Sequence, residues 1–131
     1  MLIYHMALVL SGIACIAAGA AIARFMRKKT WWLKAHRACA AAGAVIVTAG
    51  IAVAFLMVQM RSGMHMNIPH AYLGVIILSL VITAPTLGFL AFRIRRHAAQ
   101  LRTAHRWLGR LTLMLLIINA VSGFIITGII G

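Results

Sequence analysis

Four stretches of this chain, Met1–Ala23, Ala38–Val58, Ala71–Phe92 and Leu111–Gly131, contain no lysine or arginine, and the sequence has no aspartate or glutamate anywhere. Each stretch is 21 to 23 residues long, close to the roughly 20 that carry a helix across bilayer hydrocarbon. A water-soluble helix of that length needs a polar face, which these stretches lack. Only 10% of the residues are charged, against roughly a quarter in soluble domains. The 131 residues therefore read as one all-α membrane domain, a four-helix bundle with helices over about 3–25, 33–60, 69–96 and 102–130. No basic residues precede the first stretch as they would in a signal peptide, and a basic segment follows it, so a retained helix is expected.

The missing acids exclude whole classes of chemistry. No carboxylate pair can act as acid and base, no Ser-His-Asp triad can form, and no carboxylate can hold magnesium or calcium. A cation-coupled four-helix transporter, the rival from another class, normally needs an intramembrane carboxylate, and none is present.

The thirteen basic residues fix an expected orientation. Arg24, Arg27, Lys28, Lys29, Lys34 and Arg37 surround the first connection, and Arg93, Arg95, Arg96, Arg102, Arg106 and Arg110 the third, while the second holds only Arg61. The positive-inside rule then puts connections one and three in the cytoplasm and both termini outside, in what reads as a prokaryotic inner membrane. Trp31, Trp32, Tyr72 and Trp107 lie near helix starts, where amphipathic rings prefer the headgroup level.

His5, His36, His70 and His105 each fall in the first turns of one predicted helix. Alternate helices run in opposite directions, so His5 and His70 share the outer level and His36 and His105 the inner one. Two pairs at two depths is the layout of two bis-histidine b haems in a helical bundle. Glycines accompany every histidine: Gly12 and Gly19 after His5, Gly43 and Gly50 after His36, Gly74 and Gly88 after His70, and Gly109 and Gly123 after His105. Those of the first two helices, seven and fourteen positions on, stay within about 40° of the histidine's face. The expected role of all eight is to let a porphyrin approach the backbone, against the alternative of plain helix packing.

An internal repeat supports the pairing. Aligning His70–Phe89 with His105–Phe124 gives eight identities in twenty positions, including the histidines, Leu73 with Leu108, Gly74 with Gly109, and Gly88-Phe89 with Gly123-Phe124. The two helices are antiparallel, so the relation is inverted. It implies a pseudo-twofold axis in the membrane plane that exchanges helices one and two, three and four, and the two sites.

Taken in order, Tyr4-His5, Ile22-Ala23-Arg24-Phe25, Trp31-Trp32 with His36-Arg37-Ala38-Cys39, Asn67-Ile68-Pro69-His70-Ala71-Tyr72-Leu73-Gly74, His105-Arg106-Trp107-Leu108-Gly109, Ile118-Asn119 and Gly123-Phe124 cover nearly the whole chain. Together they resemble the cytochrome b561 superfamily, and within it the DOMON-associated branch. The resemblance implies a four-helix core with two b haems, His5/His70 and His36/His105 as axial ligands, and electron transfer across the membrane. It also implies a redox partner protein, such as a periplasmic or extracellular cytochrome or a DOMON protein, or a quinone. The flanking helices of six-helix members and a fused DOMON domain are missing here. The first departure suggests a homo-oligomer or a subunit of a larger complex, and the second argues against carrying over ascorbate binding. Quinol oxidation or an anchor role in a redox complex is the alternative reading, and nothing points to nucleic acid.

Several further residues bear on this reading. Lys34, Arg37 and Arg106 flank the inner histidines and are candidates to pair with haem propionates. Met60, Met64 and Met66 surround His65, a combination open to a soft copper site, a partner contact or a plain loop. His97, beside Arg95 and Arg96, reads as a headgroup contact. Cys15 and Cys39 differ too much in depth to bridge. The sequence has no Cys-x-x-Cys-His for covalent haem attachment. Pro69 suits the first position of its helix, Pro85 a mid-helix kink, and Asn119 a hydrogen bond to a neighbouring helix.

Overall fold

A computed structural model of the chain describes residues 1–61, 63 and 68–128. Helix α1 covers Leu2–Phe25, α2 Trp32–Arg61, α3 Pro69–Arg93 and α4 Ala98–Ile126, with one 3-10 turn at Arg95–His97. At 1.5 Å per residue the four helices are about 36 to 45 Å long. All are long and apolar enough to cross a membrane, which makes the chain an integral multi-pass membrane protein. His65, Met64 and Met66, the centre of the expected thioether cluster, lie outside the described residues, as do residues 129–131 at the expected end of the fourth helix.

Two helix boundaries differ from those expected. The third helix stops at Arg93 instead of near 96, because Ile94 leaves the helical region at φ −101°, ψ 82°. The fourth begins at Ala98 instead of near 102. Ala98, Ala99, Gln100 and Leu101 are good helix formers that prolong the helix beyond the hydrocarbon, although Gln100 and Arg102 mark where the apolar run begins to fail. Pro69 does occupy the first helical position, where its missing N–H costs nothing.

The helices pack as two antiparallel hairpins, α1 with α2 and α3 with α4; lesser contacts of α2 with α3 and of α1 with α4 join them. The diagonal pairs, α1 with α3 and α2 with α4, do not touch through their backbones. Lipid is as apolar as leucine, so helices associate here through close packing more than through a hydrophobic drive. Small residues make that closeness available. A Cβ on Gly12 would lie 2.5 Å from Val47 Cγ2 and 3.0 Å from the Val47 nitrogen, and one on Gly43 would lie 2.9 Å from the Gly12 oxygen. Gly19 faces Cys39 and Ala40, and Gly50 faces Leu8 and Val9. Gly12, Gly19, Gly43 and Gly50, expected to admit a cofactor, line the α1–α2 seam, where a side chain on Gly12 or Gly43 would overlap the neighbouring helix and one on Gly19 or Gly50 would press against it.

The two hairpins meet at mid-depth through Val47, Ile51, Ile77, Val81 and Leu116. Ile77 and Val81 of α3 are the repeat equivalents of Thr112 and Leu116 of α4, and all four are buried, so the inverted repeat is expressed in the core. Large apolar side chains such as Val45, Ile76, Ile82, Met114 and Ile125 point outward, as a lipid surround requires. Hydroxyls on the helices are satisfied internally: Ser11, Ser79, Thr83, Thr86 and Thr112 donate to the carbonyl four residues back, which answers the lack of water in the bilayer.

The seam yields a direct test. Gly43→Ala should lower the unfolding midpoint in detergent, at a cost of about 1–3 kcal/mol for overpacking, read by circular dichroism against temperature. Gly109→Ala should leave the midpoint in place or raise it, because nothing lies within 4 Å of a Cβ built there.

Candidate functional site

Both expected histidine pairs form across the diagonals of the bundle. The rings of His5 on α1 and His70 on α3 have centroids 6.5 Å apart and planes at 87°. Those of His36 on α2 and His105 on α4 are 6.0 Å apart at 78°. The second pair lies at the end carrying the twelve clustered basic residues, here the basic end, and the first pair lies at the opposite end. Since the backbones of diagonal helices stand apart, each pair of rings reaches across the interior of the bundle.

A hydrogen bond holds each ring. His5 Nδ1 lies 2.8 Å from the Gly50 carbonyl and His36 Nδ1 2.8 Å from the Gly19 carbonyl, so α1 and α2 exchange the same bond. His105 Nδ1 lies 2.7 Å from the Ala84 carbonyl. His70 Nδ1 lies 3.0 Å from the Ser122 hydroxyl and also bonds to the Asn119 backbone. On every helix the histidine and the backbone acceptor for its hairpin neighbour stand fourteen residues apart, at 5 and 19, 36 and 50, 70 and 84, and 105 and 119. Fourteen residues rise about 21 Å, which sets the separation of the two histidine levels.

These bonds decide the tautomer. A carbonyl only accepts, so Nδ1 of His5, His36 and His105 carries the hydrogen and a neutral ring keeps its lone pair on Nε2. The Ser122 hydroxyl donates to the Asn119 carbonyl at 2.8 Å, so it too accepts from His70. Four imidazoles are thus oriented as ligating histidines usually are, with the second ring nitrogen donating to the protein.

Glycines make room for two of the rings. A Cβ on Gly88 would lie 3.0 Å from His105 Cε1 and Nδ1, and one on Gly123 would lie 3.0 Å from His70 Cε1. Their first task is to admit the imidazole of the neighbouring helix. Gly74 and Gly109 are open, the nearest group to Gly74 being the Asn119 amide nitrogen at 3.9 Å.

Around the His5/His70 pair is a cavity of about 340 Å³, lined mainly by apolar side chains together with Gly74, Asn119 and Gly123, and by no lysine or arginine among the described residues. Around His36/His105 the cavity is about 850 Å³ and mixes Trp32, Phe89 and Phe92 with Arg27, Arg37, Arg102 and Arg106. Arg37 and Arg106 are where the sequence placed them. Lys34 is exposed and is not among the residues that line the cavity. Arg27 and Arg102 were missed. Arg102 had a legible signal, since it stands three residues before His105 on one helix face; Arg27 reaches the cavity from the end of α1, which spacing alone does not reveal. The side chain of Asn119 makes no hydrogen bond to a neighbouring helix among the described residues; its oxygen lies 3.5 Å from Ser122 of its own helix. His97 bonds to Gln100 on the surface.

The residues fit a haem. A metal about 2.0–2.1 Å from each imidazole nitrogen brings the two ring centres to about 6 Å, the separation found at both ends. Among the described residues no third histidine or cysteine joins either pair, and the chain has no acid to complete a protein-only coordination shell. A macrocycle that brings its own in-plane nitrogens suits two opposed imidazoles. The basic-end cavity adds flat apolar walls and guanidinium groups matched to propionates.

The sequence matches the family described as eukaryotic cytochrome b561 over residues 2–129. No curated protein and no solved structure matches it.

Proposed function

The chain belongs to the cytochrome b561 family and is therefore a haem-b electron-transport protein of the membrane; from that premise we propose that it holds two haems, one between His5 and His70 and one between His36 and His105. The observation that carries this reading is the presence of two imidazole pairs with the same spacing and the same Nδ1 anchoring at opposite ends of one bundle. Bound haem supplies a one-electron ferric/ferrous couple. The chain's residues do the rest. Nδ1 anchoring holds each ring in its ligating tautomer, and Gly88 and Gly123 let two of the rings sit against the neighbouring helix. Ile77, Val81 and Leu116 keep water out of the space between the levels.

The basic end faces the cytoplasm by the positive-inside rule, so the two sites divide the crossing into an inner and an outer half, with a donor on one face and an acceptor on the other. Arg27, Arg37, Arg102 and Arg106 hold the propionates of the inner haem, and as fixed positive charge they favour its reduced form.

Reduced, purified protein should show a b-type α band at two haems per chain by pyridine haemochrome assay. His36→Ala or His105→Ala should each remove one haem, and His5→Ala or His70→Ala the other; colourless protein, or loss of both haems in every variant, sinks the reading. Gly88→Val should lower occupancy of the inner site and Gly123→Val that of the outer, because each new side chain enters the space of the ligand ring. In a redox titration, Arg102→Gln combined with Arg106→Gln should move the inner midpoint potential to a lower value. Lys34→Gln, outside the cavity lining, should move it less, and equal shifts would refute direct action by the cavity arginines.

A further inference from the structure

The inverted symmetry breaks at one ligand. His5, His36 and His105 each direct Nδ1 to a backbone carbonyl at 2.7 to 2.8 Å. His70 shares its Nδ1 hydrogen between the Ser122 hydroxyl at 3.0 Å and the Asn119 carbonyl, the repeat equivalent of Ala84, and that carbonyl also receives the hydroxyl's proton at 2.8 Å. The position equivalent to Ser122 in α3 is Leu87, a side chain without a polar atom. The hydroxyl is therefore present at the outer site only.

We infer that Ser122 is a positioning residue that weakens the carbonyl hydrogen bond on His70 and so raises the redox potential of the outer site. The inference rests on the two-haem reading above. A carbonyl drawing on Nδ1–H makes an imidazole a more basic ligand, which favours ferric over ferrous iron. Ser122 weakens this in two ways: its oxygen draws off part of the His70 hydrogen bond, and its own O–H competes for the Asn119 carbonyl. The outer potential is therefore higher than a carbonyl-only arrangement would give. The effect opposes that of the arginines at the inner site, and it narrows the gap between the two potentials.

Ser122→Ala leaves the Asn119 carbonyl alone to receive the His70 proton, as Ala84 does for His105. In a spectroelectrochemical titration of the full-length protein in lipid nanodiscs, the outer midpoint potential should fall and the inner one should stay. His70→Ala, which removes the outer component, identifies which is which. Ser122→Thr keeps the hydroxyl and should keep the wild-type potential. Leu87→Ser should raise the inner potential by creating the same interruption beside Ala84. An unchanged outer potential in Ser122→Ala, equal movement of both potentials, or failure of the threonine variant to restore the wild-type value overturns the inference. Haem content measured on the same samples separates the two levels of argument: two haems with no shift refutes the role of Ser122 alone, whereas a single haem insensitive to His70→Ala refutes the two-haem reading and this inference with it.

Discussion

Each of the four paired histidines is tied by Nδ1 to the helix beside it, and much of the bundle's geometry follows from that bond. It forms only where two antiparallel helices run close together, which the α1–α2 pair achieves through interlocking Gly12 and Gly43. It joins the start of one helix to a point fourteen residues along its neighbour, so the spacing of the two levels is built into each hairpin before the hairpins meet. It also leaves the lone pair of each neutral ring on Nε2. A neutral hydrogen bond contributes only about 0.5–1.5 kcal/mol net, so its value here lies in orientation more than in stability.

Charge is distributed as unevenly as the hydrogen bonds are evenly shared. The inverted symmetry extends to histidines, acceptors and core residues but not to cations, since four arginines line one cavity and none lines the other. With no acid in the chain, no side-chain carboxylate neutralises these guanidinium groups. Some rest on aromatic faces, as Arg37 does over Phe92 at 5.8 Å and Arg110 over Trp107 at 5.3 Å. The same charges that orient the chain in a membrane therefore distinguish its two ends electrostatically.

The four spans, the histidine pairs and the repeat were legible because each depends on spacing along one helix or on the alternation of helix direction. The roles of the glycines were not. At helical spacing a glycine under a histidine looks the same whether it faces a cofactor, another backbone or another imidazole. Gly12, Gly19, Gly43 and Gly50 proved to face a helix, Gly88 and Gly123 an imidazole, and Gly74 and Gly109 open space. The cations show the same limit. Proximity in sequence singled out Lys34, which does not line the cavity, and passed over Arg27, which reaches it from the connection after α1, and Arg102, which reaches it from the start of α4.

The sequence by itself determined the number of spans, their alternation and the level of each histidine, because hydrophobic length and charge position act along a single chain segment. Tertiary structure alone decided which carbonyl each imidazole reaches, which arginines share a cavity and that Ser122 stands between His70 and the Asn119 carbonyl. Those outcomes depend on how helices are rotated about their axes and how closely they approach. Both are settled by packing between segments far apart in the chain.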